Sequence, residues 1–205
     1  MTETVYLYVF DTLADWEPGY AIANINDPTY QKSPGRYTVT TVGVTRDPVT
    51  TTGGMRILPD FALSDIDPSA CAMLILPGGA RWDERGNGEG VDLAKAVLAV
   101  GGKVAAICGA TAGLARGGVL DNRKHTSNAA DYIKATGYGG AHLYVDAQAY
   151  SDGTVITAPG TAPVDFAREI FRALDLFDEK VLDAWYKVFK TGDASHFAAL
   201  EEETA

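Results

Sequence analysis

Apolar residues fall in short continuous runs separated by stretches of helical period. Val5 to Phe10 is apolar and aromatic and stops at Asp11-Thr12, predicting a buried strand. Arg36 to Thr45 mixes β-branched and small residues and predicts a second strand. Ala72 to Leu76 (AMLIL) ends at Pro77-Gly78-Gly79 and reads as a strand covered on both faces; Lys103 to Ile107 (KVAAI) reads the same way. Thr154 to Thr157 is the last clear strand, Tyr144 to Tyr150 an extended piece, and Thr51-Thr52-Gly53-Gly54 a hairpin turn within Val49 to Leu58. Helices are predicted from Trp16 to about Asn26, with Asp15 placed to cap and Pro18 in the first turn. Others follow at Gly90 to Val100, from Cys108 to Gly117-Gly118, and at Asn128 to Thr136. Ala162 to Leu174, Glu179 to Lys190 and Ala194 to Glu201 complete the set. Strands alternating with helices predict an α/β fold, a mostly parallel sheet in a three-layer α/β/α sandwich. No repeat or linker interrupts the 205 residues, so they read as one domain, with a C-terminal helical extension from about residue 176.

Composition narrows the function. Acidic residues number 27 and basic residues 17, a formal net charge of −10, which disfavours nucleic acid or an anionic membrane as partner. No apolar run approaches the roughly 20 residues of a membrane span. The opening MTETVYLYVF carries acid where a secretory signal carries base, which predicts a cytoplasmic protein. Two cysteines, Cys71 and Cys108, make neither a disulfide framework nor a four-cysteine zinc site. Three scattered histidines, His125, His142 and His196, offer no metal-ligand spacing, and no metal or cofactor is expected.

In an open parallel sheet, ligands lie beyond the carboxyl ends of the strands. Three such ends carry chemistry here: Asp15-Trp16-Glu17 after the first strand, Pro77-Gly78-Gly79, and Cys108-Gly109. A cysteine between a buried strand and a helix either packs as a small hydrophobe or stands exposed on a sharp turn. In the second case the helix N-terminus lowers its pKa from ~8.5, and the amides of Gly79 and Gly109 can face an oxyanion. Cys71, at the start of a buried strand, has no comparable neighbours. Arg81-Trp82-Asp83 follows the glycine turn and brings Trp82 to the pocket mouth or into the packing.

The combination of AAICGATAGLA, LILPGG, FDTLADWEPG and APGT resembles the ThiJ/PfpI superfamily, whose fold is class I glutamine amidotransferase-like (flavodoxin-like). The resemblance runs from Val5 to the helix Pro163–Leu174. It implies Cys108 as nucleophile, Glu17 as a protonated or proton-sharing partner, and the backbone of Gly79 beside them. It also implies a site histidine shortly after the nucleophile helix, which falls on His125. The connection of 17 residues from Cys108 is long enough to bring its imidazole back over the thiol, the orientation expected here, the alternative being an ordinary loop or packing histidine. Gly78, Trp82 and Thr111 are expected around the pocket. Gly109 stands where protease-like PfpI members have histidine, and no downstream His-x-Glu pair follows, so neither an endopeptidase nor a glutaminase is implied. The resulting expectation is a cysteine enzyme acting on a small-molecule substrate, hydrolysing an amide or related carbonyl compound. Glyoxalase-type conversion of 2-oxoaldehydes is the alternative, and a non-catalytic redox-sensing or stress protein is a third. The family resemblance further implies a homodimer.

Overall fold

The computed structural model describes residues 2–202. Strand β1 (Glu3–Tyr8) leads through a structured loop to α1 (Gly19–Asn26) and β2 (Tyr37–Gly43). The hairpin forms as β3 (Val49–Thr50) against β4 (Arg56–Ile57), and β5 (Phe61–Ala62) adds a two-residue edge that the apolar pattern was too short to announce. Then come β6 (Cys71–Leu76), α2 (Ala80–Asp83), α3 (Gly88–Ala99), β7 (Lys103–Ile107), α4 (Gly109–Arg116) and α5 (Ala130–Lys134). The chain continues with β8 (Tyr150–Asp152), β9 (Val155–Ala158), α6 (Pro163–Leu174), α7 (Glu179–Thr191) and α8 (Ser195–Glu202).

Seven strands form one sheet in the order β5-β2-β1-β6-β7-β9-β8, parallel except where β8 runs against β9. Helices flank it, so the architecture is the flavodoxin-like, class I glutamine amidotransferase-like α/β fold. The central strands are apolar on both faces because both are covered: Leu74, Ile75, Leu76, Val104, Ala105, Ala106 and Ile107 are all fully buried. The last long helices pack by helical period. Val164, Ala167, Phe171 and Leu174 of α6 are buried, as are Val181, Leu182, Trp185 and Val188 of α7. Phe171 meets Trp185 edge-on, ring centroids 4.9 Å apart, and Lys190 and Tyr186 both reach the Asp165 carboxylate, closing α7 onto α6.

Two stretches depart from the pattern by more than a shift of helix or strand ends. The first helix starts at Gly19 with Pro18 as its N-cap, and Asp15 does not cap it; the Asp15 carboxylate accepts the Gly53 N–H of the hairpin at 2.6 Å. The stretch from Tyr144 to Tyr150 is irregular apart from the beginning of β8: Tyr144 makes an isolated parallel bridge with His125, the Val145 N–H donates to the His125 carbonyl at 2.8 Å, and the Ala147 carbonyl accepts the Thr126 hydroxyl at 2.9 Å. No helix among the described residues is long and apolar enough to cross a membrane.

Candidate active site

With β1, β6 and β7 adjacent, their carboxyl-end loops meet at one edge of the sheet. The loop after β1 is clamped to the glycine turn after β6. Leu13 bridges Gly79, the Ala14 N–H donates to the Gly78 carbonyl at 3.0 Å, and the Arg81 N–H donates to Thr12 Oγ1 at 3.0 Å. A Cβ on Gly79 would lie 2.2 Å from the Thr12 carbonyl oxygen, so only glycine permits this clamp. The clamp turns Glu17 inward, fully buried, with Oε2 accepting the Gly78 N–H at 2.5 Å.

Cys108 sits between β7 and α4 at φ 59° and ψ −126°, a conformation that costs a non-glycine residue about 1–3 kcal/mol. Its backbone is fixed from both sides. The Cys108 N–H extends the sheet ladder to the Ala158 carbonyl at 2.9 Å, and its carbonyl accepts the Thr111 hydroxyl at 2.6 Å. Thr111 is buried beneath the elbow and shares a 2.6 Å hydrogen bond with Ser127, so it holds the turn rather than lining the pocket. The result is a strained strand-to-helix turn that holds the Cys108 side chain at the carboxyl end of the sheet.

Thiol and carboxyl converge between two glycines. A Cβ on Gly78 would lie 2.6 Å from Cys108 Cβ and 2.7 Å from Glu17 Oε2. One on Gly160 would lie 2.9 Å from both Cys108 Sγ and Glu17 Oε1. Among the described residues, Glu17 Oε1 is buried without a hydrogen-bond partner. Burial pushes the Glu17 carboxyl up to about 7 against the pull of the Gly78 N–H. Burial and the Glu17 charge push the Cys108 thiol up to about 11. The expected lowering by the helix N-terminus is therefore overridden: the sulfur is desolvated and faces a carboxylate. Two donors favour thiolate, the Gly109 N–H and Asn128 Nδ2, the latter 3.4 Å from Sγ.

Asn128 is the group that sequence reading missed, having been assigned to the start of a short helix. Its Oδ1 accepts the Gly160 N–H at 2.9 Å, so one amide ties the sulfur to the loop after β9. Trp16, where the pattern starts the first helix, lies before that helix in the loop after β1. It is 55% exposed, donates Nε1–H to the Gly160 carbonyl at 3.2 Å and forms a wall of the cleft. The open cleft measures about 580 Å³ and is lined by Trp16, Glu17, Cys108, Asn128, Gly160, Thr161 and Pro163.

Besides Thr111, two expected site groups lie elsewhere. Both ring nitrogens of His125 are engaged, Nδ1 with the Arg123 carbonyl and Nε2 with the Tyr138 hydroxyl, each at 2.7 Å. The imidazole is fully buried between Tyr138 and Tyr144, burial holds its pKa down, and neither nitrogen is left for Cys108. The inward orientation over the cysteine is thus corrected: two tyrosine rings and a carbonyl satisfy the imidazole away from it. Trp82 is also fully buried. It donates to the Pro77 carbonyl at 2.8 Å and packs against Tyr8 and Phe10, making it core rather than pocket mouth.

The family model described as DJ-1/PfpI family matches residues 3–173. The chain is 42% identical over 202 residues to "Uncharacterized protease YoaZ" of Bacillus subtilis, covering 97% of this chain and 96% of that one. It is 32% identical over 137 residues to "Glutathione-independent glyoxalase DJR-1.2" of Caenorhabditis elegans, covering 65% of this chain and 71% of the relative. Among solved structures, a thiJ/pfpI family protein from Bacillus anthracis superposes with a TM-score of 0.91 at 40% identity, covering 98% of this chain and 97% of that one.

Proposed function

The chain belongs to the DJ-1/PfpI family, and from that footing we propose that it is a cysteine-dependent enzyme of small carbonyl compounds, converting 2-oxoaldehydes to 2-hydroxy acids at Cys108. The observation that carries this reading is the pairing of the thiol with a single carboxyl, Glu17, while the nearby imidazole is engaged elsewhere. Hydrolysis of an amide needs an acid that protonates a departing amine. An internal hydrogen shift needs only one group that takes a proton and gives it back, and a carboxyl balanced near neutrality does both.

In this reaction the Cys108 sulfur adds to the aldehyde carbon of R–CO–CHO, its proton passing to Glu17 and then to the aldehyde oxygen. The Gly109 N–H and Asn128 Nδ2 steady the sulfur before attack and the new oxygen after it. Glu17, ionised again, removes the C1 hydrogen as a proton, and the electron pair moves toward C2. The proton returns at C2 while the proton on the C1 oxygen passes through Glu17 to the C2 oxygen, leaving a thioester of the 2-hydroxy acid on Cys108. Water attacks the thioester carbonyl, the carbon–sulfur bond breaks, and R–CHOH–COOH leaves with the thiol restored. Overall, one water is consumed and no outside oxidant is needed.

The test is formation of lactate from methylglyoxal without added thiol. Cys108→Ser is expected to abolish it, and Glu17→Gln to lower kcat by on the order of 10²–10⁴-fold. A purified protein that makes no lactate but releases ammonia from simple amides overturns the reading in favour of a hydrolase. That second reading has its own support in the protease names of relatives and in the two donors at the sulfur, which suit a tetrahedral intermediate.

A further inference from the structure

The groups lining the Cys108 cleft divide sharply by chemistry. Glu17 and Cys108 are its only ionisable members among the described residues; Trp16 and Pro163 are apolar, Gly160 and Thr161 small, and Asn128 neutral. Among the described residues no lysine, arginine or histidine lines it, and the chain carries a net charge of −10. A substrate with an anionic substituent would meet a carboxyl and no cation there. The indole of Trp16 is 55% exposed, yet its N–H is pinned to the Gly160 carbonyl. Gly160 also abuts the sulfur, since a Cβ on it would lie 2.9 Å from Sγ. The pinned indole is therefore one backbone residue away from the reacting atom, and it directly precedes Glu17 in sequence. Its exposed ring is an apolar surface presented to whatever hangs from a carbonyl bound at Cys108.

We infer that Trp16 is the specificity-determining residue of this site and that it selects 2-oxoaldehydes with an uncharged aryl or bulky apolar substituent. The inference rests on the 2-oxoaldehyde reading and adds to it the class of R. An aryl group stacks on the indole and removes both surfaces from water, a gain that a methyl group cannot match. Pro163 offers a second apolar surface in the same cleft. A carboxylate on R loses its hydration against a cleft that holds no cation to replace it.

The experiment compares phenylglyoxal, methylglyoxal and 4-carboxyphenylglyoxal, reading the 2-hydroxy acid formed so that arginine modification by phenylglyoxal is not counted. The kcat/KM for phenylglyoxal is expected to exceed that for methylglyoxal at least tenfold, and that for the carboxylated compound at least tenfold. Trp16→Ala is expected to reduce the phenyl-to-methyl ratio to within about threefold of unity, mainly through KM, and Trp16→Phe to restore most of it. Equal use of phenylglyoxal and methylglyoxal, or a ratio unmoved by Trp16→Ala, overturns the inference. A second readout needs no turnover: protection of Cys108 from a limiting dose of iodoacetamide by benzaldehyde relative to acetaldehyde, in wild type and Trp16→Ala. Loss of the benzaldehyde preference in the variant supports the inference even where no 2-hydroxy acid forms, which separates its failure from that of the 2-oxoaldehyde reading. A preference identical in both proteins defeats it.

Discussion

Cys108 and Cys71 carry the same thiol in unlike surroundings. Cys71 opens β6, 5% exposed, and burial alone pushes it up to about 12. Cys108 lies in an open cleft with two hydrogen-bond donors, and part of its upward shift comes from the Glu17 charge. That part vanishes whenever Glu17 holds the proton. Below pH about 7 the pair carries two protons and alkylation is slow. Once one proton leaves, a minor form with thiolate and neutral carboxyl exists at a constant fraction until the thiol itself ionises near 11. The rate of Cys108 alkylation by iodoacetamide is therefore expected to rise through pH 7, level off, and rise again in strong alkali, with Cys71 unlabelled at limiting dose. Glu17→Gln removes the lower step and leaves a single rise, because no carboxyl remains to share the proton. Mass spectrometry of the two labelled peptides across pH reads all of this; equal labelling of Cys71, or an unchanged lower step in Glu17→Gln, contradicts it.

The elements that hold the elbow show which features sequence pattern reaches and which it does not. α4 follows Cys108 closely because Gly113 lets it lie against Trp82: a Cβ there would come within 2.3 Å of the indole ring. Trp82 cannot retreat, being buried against Tyr8 and Phe10 with its N–H on the Pro77 carbonyl. Gly113→Ala is expected to cost about 1–3 kcal/mol through overpacking, exceeding the gain in helix propensity of up to about 1 kcal/mol, and chemical denaturation measures the difference. Strands β6 and β7 stood out because each is one unbroken apolar run stopped by glycine or a helix start, and with them came Cys108 and the glycine turn. The four-residue α2 and two-residue β5 are too short for any period to emerge, so Trp82 drew its place from tertiary packing alone. Asn128 was missed for a related reason. It rides on an irregular strap held by distant partners, Thr126 on Thr157 and Ser127 on Thr111, and nothing local marks it. The same strap places His125: nearness to Cys108 in sequence says nothing about which side its ring takes, and the rings of Tyr138 and Tyr144 decide that.

At the scale of the whole molecule, the strand order is what brings a residue near the N-terminus to a cysteine in the middle of the chain. β6 lies between β1 and β7, and the glycine turn after it fills the gap between the two functional loops, donating Gly78 N–H to one and abutting the thiol of the other. The cost of this convergence falls on folding stability. Glu17 is fully buried, and its carboxyl is raised from 4.5 to about 7, so the folded state binds its proton more tightly than the unfolded chain does. For a group shifted upward, the stabilising contribution is complete below the unfolded value near 4.5 and is lost as pH rises through about 7. The loss amounts to about 3 kcal/mol at alkaline pH. Glutamine in that position can still accept the Gly78 N–H and never ionises. Glu17→Gln is therefore expected to melt within about 2 °C of wild type at pH 4.5, where both side chains are neutral. At pH 8.5 it should melt roughly 5–10 °C higher, as a 3 kcal/mol change implies for a domain of this size. Calorimetric scans of both proteins between these pH values give the comparison. A wild type as stable as Glu17→Gln at pH 8.5 would mean that the carboxylate is solvated or charge-compensated in the fold, and the thiol would then have no proton-sharing partner.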